Sequence, residues 1–286
     1  MTKDMHDQES AARRTFIKAG MVAGVGAILS PLLVRTAQAA AEAAPAAPAT
    51  PAAPAAGAKL KIGDVLRVAR EKLYPICRVC PECDGVACAG EVPGMGGIGS
   101  GQSFRNNYIA LNKIGLVMRT FHNVKKPDLT TNLFGHQLSM PVTSAVTGGV
   151  TYNMGGKMSE EDYVISILGG CRDAGTLGWV ADGIGDKMEV FERRIAVLKQ
   201  RFGGQAIVTI KPKLNDEIIT RIRLAEEAGA IAVAIDIDSA GRAARAVPGQ
   251  TVEPKTPKQL AELVKSTRLP FIIKGIMTVE EAKIAV

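Results

Sequence analysis

The chain has 286 residues, 47% hydrophobic and 22% charged, and carries a net charge of +7. That is enough apolar material for one large core or two small ones. Aromatics make up 4% and the positive charge is dispersed, which excludes the stacking platforms and concentrated basic faces of nucleic-acid binders.

The first 39 residues read as a targeting segment rather than as part of the fold. Arg13-Arg14-Thr15-Phe16-Ile17-Lys18 is a twin-arginine core. An uncharged stretch over 19–34 and a small-residue cleavage site at Ala37-Gln38-Ala39 follow it. The uncharged stretch has 16 residues, short of the roughly 20 a spanning helix needs, so export is favoured over a membrane anchor. The expected location is periplasmic, or membrane-associated on the outer side. Residues 40–58 alternate Ala and Pro and form a semi-rigid linker.

A helix is predicted over 62–74, with apolar positions at helical spacing. Cys77, Cys80, Cys83 and Cys88 follow within twelve residues. Two-residue gaps let consecutive thiolates converge on an iron-sulfur cluster or a zinc ion. The exported setting makes disulfides the main competing reading, and unliganded thiols are the third. Cys171, alone on a helical stretch, reads as a packed core thiol. Residues 90–101 hold six glycines and form a tight loop. No strand precedes Gly96-Gly97-Ile98-Gly99, which argues against a dinucleotide cradle. The segment 59–103 is thus a Cys-rich and Gly-rich extension.

From residue 104 onward the pattern becomes regular. A helix over 104–114, an extended piece over 118–121 and a hairpin over 133–138 lead into alternation. Strands are predicted at 142–146, 177–181, 206–210, 230–235 and 271–273. Helices are predicted at 159–174, 186–201, 215–228, 257–267 and from 279, the last opened by a Thr278-x-x-Glu281 capping box. Continuous apolar runs alternating with helices imply parallel strands covered on both faces, an α/β architecture. Thr147-Gly148-Gly149 is too short for a dinucleotide fingerprint, so a closed barrel is favoured over an open sheet. Eight units close a (β/α)8 TIM barrel and about five are visible in 104–286. The chain therefore reads as C-terminally truncated.

Three segments carry a family resemblance: Phe271-Ile272-Ile273-Lys274-Gly275-Ile276, Pro141-Val142-Thr143-Ser144-Ala145 and Ile231-Ala232-Val233-Ala234-Ile235-Asp236. They resemble strands of the FMN-dependent α-hydroxy acid oxidases and dehydrogenases, the lactate oxidase and glycolate oxidase family, over about residues 97–286. The resemblance implies an FMN-type TIM barrel that transfers hydride from a 2-hydroxy acid to flavin. Lys274 matches the lysine that stabilises negative charge on the reduced ring, a role suited to a cation on a rigid strand. Ser144, Ala145, Asp182 and Lys211 stand at the other cofactor-facing strand ends. Asp236 matches the aspartate beside the catalytic base, and Arg242 an arginine that binds a substrate carboxylate.

The departures from the family pattern bear on the substrate. Two family tyrosines fall at Gly97 and Lys211, and a flavin-contacting glutamine falls at Thr209. The family's base lies in an Asn-His-Gly-Gly-Arg motif that this sequence lacks. His6, His122 and His136 do not match that base by position, so the fragment itself is not expected to be competent. The implied partners are a small 2-hydroxy acid, an electron acceptor and a second copy of the chain. Two other readings stay open: a non-catalytic ligand-binding remnant stabilised by metal or disulfides, and another FMN barrel enzyme such as an isomerase.

Overall fold

The structure is a computed structural model and describes residues 61–88, 100–240 and 252–286. The signal segment, the Ala/Pro linker, residues 90–99 of the glycine-rich loop and Arg242 lie outside the described residues. Contacts divide the chain into two compact units. One is Pro51–Ile276 with Ala285; the described part of the other is Met277–Ile284 with Val286. Among the described residues, no helix is long and apolar enough to cross a membrane.

The first unit opens with helix α1 (Ile62–Leu73), which buries none of its residues, and helix α2 (Gln102–Asn112), which begins after Gly101. Strands β1 (Thr131–Leu133) and β2 (His136–Leu138) form the expected hairpin. Its two-residue turn, Phe134-Gly135, has positive φ at both positions (52° and 84°), the backbone twist that a tight hairpin favours. Leu133 and Leu138 pack against Leu177 and Ile231, so the hairpin sits at the N-terminal ends of two later strands. The extended piece expected at 118–121 is exposed and forms no strand.

Strands β3 (Gly178–Ala181), β4 (Ala206–Ile210), β5 (Ala232–Asp236) and β6 (Phe271–Lys274) form one parallel sheet in sequence order. Between them run helices α4 (Glu160–Asp173, before β3), α5 (Met188–Phe202), α6 (Asn215–Glu227) and α7 (Pro257–Lys265). A short turn of helix, α3 (Val150–Asn153), precedes α4. This is an arc of a (β/α)8 barrel, as the alternation implied. The helix starts follow from local chemistry. Ser159 Oγ accepts from Asp162 N at 3.0 Å, and three acidic residues fill the first turn of α4. Thr256, Pro257 and Gln259 build a full capping box at the head of α7. In the second unit, Thr278 and Glu281 do the same for α8 (Val279–Ala285).

The strands face two ways. Val180, Val208, Ile210, Val233 and Ile235 pack with Phe191, Leu198, Ile218, Ile222 and Leu263 of the helices. Ile207, Ala232 and Ala234, with Trp179 and Ile272, form the opposite, inner face. Close packing is enforced at Gly178, where a Cβ would stand 2.5 Å from Leu168 Cδ2 and 3.4 Å from Cys171 Sγ. Cys171, expected as a packed core thiol, is half-buried, with its sulfur beside Gly178.

Residues 142–146, expected as the first barrel strand, run beside β3 without forming a strand. Ser144 N donates to Leu177 O at 3.2 Å, but Trp179 N donates to the Ser144 side chain at 3.1 Å. Thr176 Oγ1 likewise donates to Val142 O. Side-chain hydroxyls take the place of ladder bonds, which is how Ser and Thr compete with secondary structure.

Candidate functional site

Strand alternation decides which tip residues point inward. On β4, Ile207 and Thr209 share the inner face, and Lys211 just beyond the strand continues it. On β5 the same parity carries Ala232, Ala234 and Asp236, and on β6 Ile272 and Lys274. The parallel register sets Asp236 directly beside Lys274 and Ile210 beside Ile235. Three residues far apart in sequence thus meet at the C-terminal ends of neighbouring strands, the end where barrels of this kind build their sites.

Both oxygens of Asp236 are taken there. Lys211 Nζ donates to Oδ2 and Lys274 Nζ to Oδ1. The Asp236 side chain is 7% exposed, Lys211 19% and Lys274 35%. Burial works to raise the Asp236 pKa. The Lys211 charge and hydrogen bonds from Asp238, Lys211 and Lys274 outweigh it and hold the carboxyl at about 2. Asp238 goes the other way: burial first, then its bond to Asp236 and that group's charge, push it up. Lys274 Nζ is also 3.7 Å from Asp238 Oδ1, beyond hydrogen-bond distance. Gly275 (φ 96°) makes this crowding feasible, since a Cβ there would lie 2.6 Å from Asp238 Oδ1. Asp236 is a fixed anion that clamps two ammoniums, and it holds no proton to exchange at neutral pH.

The remaining expected positions are placed differently. Ser144 lies along the edge of β3, its hydroxyl occupied by Trp179 N, and Ala145 is exposed. Asp182 follows the parity of Val180 and turns into the helix layer. Its Oδ2 accepts from Lys211 N at 3.2 Å and lies 3.4 Å from Arg221 Nε, and its side chain is fully enclosed. Its carboxylate is thus directed away from the inner face where a cofactor contact was expected. Burial raises its pKa against the pull of Arg221 and Lys213. His136 is on the hairpin, at the opposite end of the strands from the clamp. Thr209 Oγ1 is buried without a hydrogen-bond partner on the inner face, one alternation below Lys211. Its orphaned hydroxyl is a feature that sequence spacing gave no sign of.

The four clustered cysteines lie apart from the clamp, in the loop after α1, and are free thiols. Arg78 Nη1 donates to Ala87 O at 2.6 Å, drawing the flanks of Cys77 and Cys88 together, and Val79 N donates to Cys77 Sγ at 3.4 Å. Burial and then the neighbouring cysteines push the Cys83 and Cys88 thiols up. Among the described residues, no group of three or more His, Cys, Asp or Glu side chains is placed to hold a metal ion. The expected iron-sulfur or zinc centre thus finds no support among the described residues.

Residues 94–258, more than half of the chain, match the model of the FMN-dependent dehydrogenase family. The chain belongs to that family. Its structure is similar to mandelate oxidase with 3,3-difluoro-2-hydroxy-3-phenylpropionic acid, with a TM-score of 0.53 and 21% identity over 78% of this chain and 64% of that one. A second mandelate oxidase structure gives a TM-score of 0.52 at 20% identity with the same coverage. A mandelate oxidase variant with a C4a-OH-FMN adduct gives 0.51 at 20% identity, again over 78% and 64%. At these identities the likeness is one of fold, and the chain spans 64% of the length of those structures. No curated protein sequence matches it.

The residues present fit a flavin at the family's barrel mouth. Lys211 and Lys274 offer ammoniums to an electron-rich ring system, and Thr209 offers a buried hydroxyl that lacks a partner.

Proposed function

We propose that this chain is part of an FMN-dependent oxidoreductase that acts on the CH–OH group of 2-hydroxy acids. The observation that carries this reading is the clamp of Lys211 and Lys274 on Asp236 at the strand tips of a barrel from the FMN-dependent dehydrogenase family. When bound, FMN supplies a hydride acceptor for the carbinol carbon. The chain's part is to hold a cation of fixed position where negative charge collects, and Lys274, at the end of β6, is the residue for it. Mandelate oxidase, with the same fold, is described with a 2-hydroxy acid ligand, which supports the substrate class.

Purified protein is expected to carry flavin absorbance that is perturbed when a 2-hydroxy acid binds, without turnover being required. Lys274→Met is expected to weaken FMN retention or flavin reduction by roughly tenfold or more, the scale of losing one charged stabilising group. A parent protein that takes up no flavin, or a Lys274→Met variant that matches the parent, defeats the proposal.

The same reading includes export, supported by Arg13-Arg14-Thr15-Phe16-Ile17-Lys18 and the uncharged stretch behind it. Replacing Arg13 and Arg14 together with lysine is expected to keep the protein inside the cell on fractionation. Unchanged secretion of the double variant speaks against a twin-arginine route. An oxidoreductase on the outer side passes its electrons to an acceptor available there.

A further inference from the structure

We propose that Cys77, Cys80, Cys83 and Cys88 are a thiol–disulfide site, which closes into two bridges inside the loop after α1 and, closed, braces one wall of the barrel mouth. The flavin reading is not needed for this. The export reading enters only as the setting that supplies an oxidant.

The sulfurs are neighbours. After burial, the charges of Cys88, Cys77 and Cys80 act on the Cys83 thiol, and those of Cys77 and Cys80 on Cys88, so Cys83 and Cys88 each lie within electrostatic reach of the other sulfurs. The backbone gathers them in two turns. Val79 N donates to Cys77 Sγ at 3.4 Å across the first, with Val79 at a φ of 49°. Val86 N donates to Asp84 Oδ1 at 2.9 Å across the second, with Gly85 at 73°. The bond from Arg78 Nη1 to Ala87 O ties the two turns together.

A second, independent observation is the lack of a core around them. Helices α1 and α2, on either side of the loop, bury none of their residues. The loop rests on α2 through Gly85, where a Cβ would stand 2.2 Å from Phe104 Cδ1. A segment with so little buried apolar surface is the kind that cross-links stabilise. Each bridge forms when two loop thiols give two electrons and two protons to a small-molecule disulfide, whose own S–S bond breaks and which leaves as two thiols.

The closed loop has a wall to hold. Lys157 Nζ donates to Glu71 O at 3.0 Å, and a Cβ on Gly155 would lie 3.8 Å from Lys72 O and 4.0 Å from Ile76 Cγ1. Residues 155–157 lead out of α3, where Tyr152 Oη accepts from Gly185 N at 3.3 Å in the loop after β3. Contacts thus run from Cys77, through Ile76 and Gly155, to the segment beside the strand tips.

The test equilibrates the full chain with oxidised glutathione and, separately, with dithiothreitol, then unfolds and alkylates it. Oxidised chains are expected to take label at Cys171 alone, with both bridges mapped inside 77–88, and reduced chains at all five cysteines. Hydrogen exchange at the backbone amides of 150–157 is expected to rise by about tenfold or more on reduction, the scale of losing the cross-links. Replacing the four loop cysteines with serine should abolish that response and leave exchange at the reduced level in either buffer. Four results overturn the proposal: label at all five cysteines in the oxidised sample, bridges to Cys171 or between chains, a stoichiometric metal ion on protein purified without oxygen, or equal exchange in the two states. None of them bears on flavin content, which absorbance reads separately.

Discussion

Arg194→Ala lowers the free energy of unfolding by about 3–5 kcal/mol, the cost of breaking a buried ion pair by removing one partner. The Arg194 side chain is 1% exposed. One arm donates to Ala181 O at 3.0 Å and to the Asp186 carboxylate, and the other donates to Glu160 Oε2 at 2.5 Å. Glu160 and Asp186 are each 4% exposed at the side chain, so the variant strands two enclosed carboxylates without a countercharge. Their remaining donors, Thr151 N and Oγ1 to Glu160 and Gly183 N to Asp186, do not supply one. Urea denaturation at neutral pH reads the effect, and a loss below about 1 kcal/mol would show that the network is far more hydrated than its burial indicates.

A variant that keeps the volume separates this mechanism from simple loss of packing. Arg194→Met, which keeps much of the volume, should behave like the alanine variant. The combination with Glu160→Gln and Asp186→Asn should recover most of the loss. The network also anchors the loop after β3, through Ala181 O and through Asp186 on Gly183 N, so loosening it loosens one wall of the barrel mouth.

Strands β4, β5 and β6 could be read from the chain because each is a short apolar run between helices with clear starts, such as Thr256-Pro257 with Gln259. Lys274 could be read for the same reason: a charged residue that ends the run Phe271-Ile272-Ile273 has to lie at a strand tip. Residues 142–146 look like the others in composition. Their failure to form a strand depends on where the hydroxyls of Ser144 and Thr176 find partners, 35 and 34 residues away. Asp182 shows a second limit. A tip residue's face depends on strand parity, and a one-residue difference in where β3 ends moves its carboxylate from the inner face to the helix layer. The clamp joins residues 25 and 38 positions apart, which only the register of three parallel strands brings together. Arg194 and Arg221 sit among other charged residues on their helices and give no sign of burial in sequence. Their place is fixed by acids on neighbouring elements.

Asp236→Asn removes the acid dependence that this carboxylate gives the fold, and with it roughly 2 kcal/mol of stability at neutral pH. In the parent, Asp236 is held at about 2 against burial that acts to raise it, because Lys211 and Lys274 favour its charged form. A carboxylate whose pKa is lower folded than unfolded contributes stability that is complete above the unfolded value, near 4, and is lost as pH falls through the folded one. The difference in unfolding free energy between parent and Asp236→Asn should therefore be full at pH 5 and above, and should shrink between about pH 4 and 2. Asp238, pushed up by burial and by Asp236, opposes this: its ionisation costs the folded state, so part of the gain is offset as pH rises through its range. Asp236→Asn relieves Asp238 as well, which makes the net difference smaller than the Asp236 contribution alone. A difference that stays constant from pH 7 to 2 would mean that the two lysines do not depend on Asp236 for their placement. A difference that closes on acidification would tie the clamp to the fold, because protonation of Asp236 then removes the anion that holds Lys211 and Lys274 together.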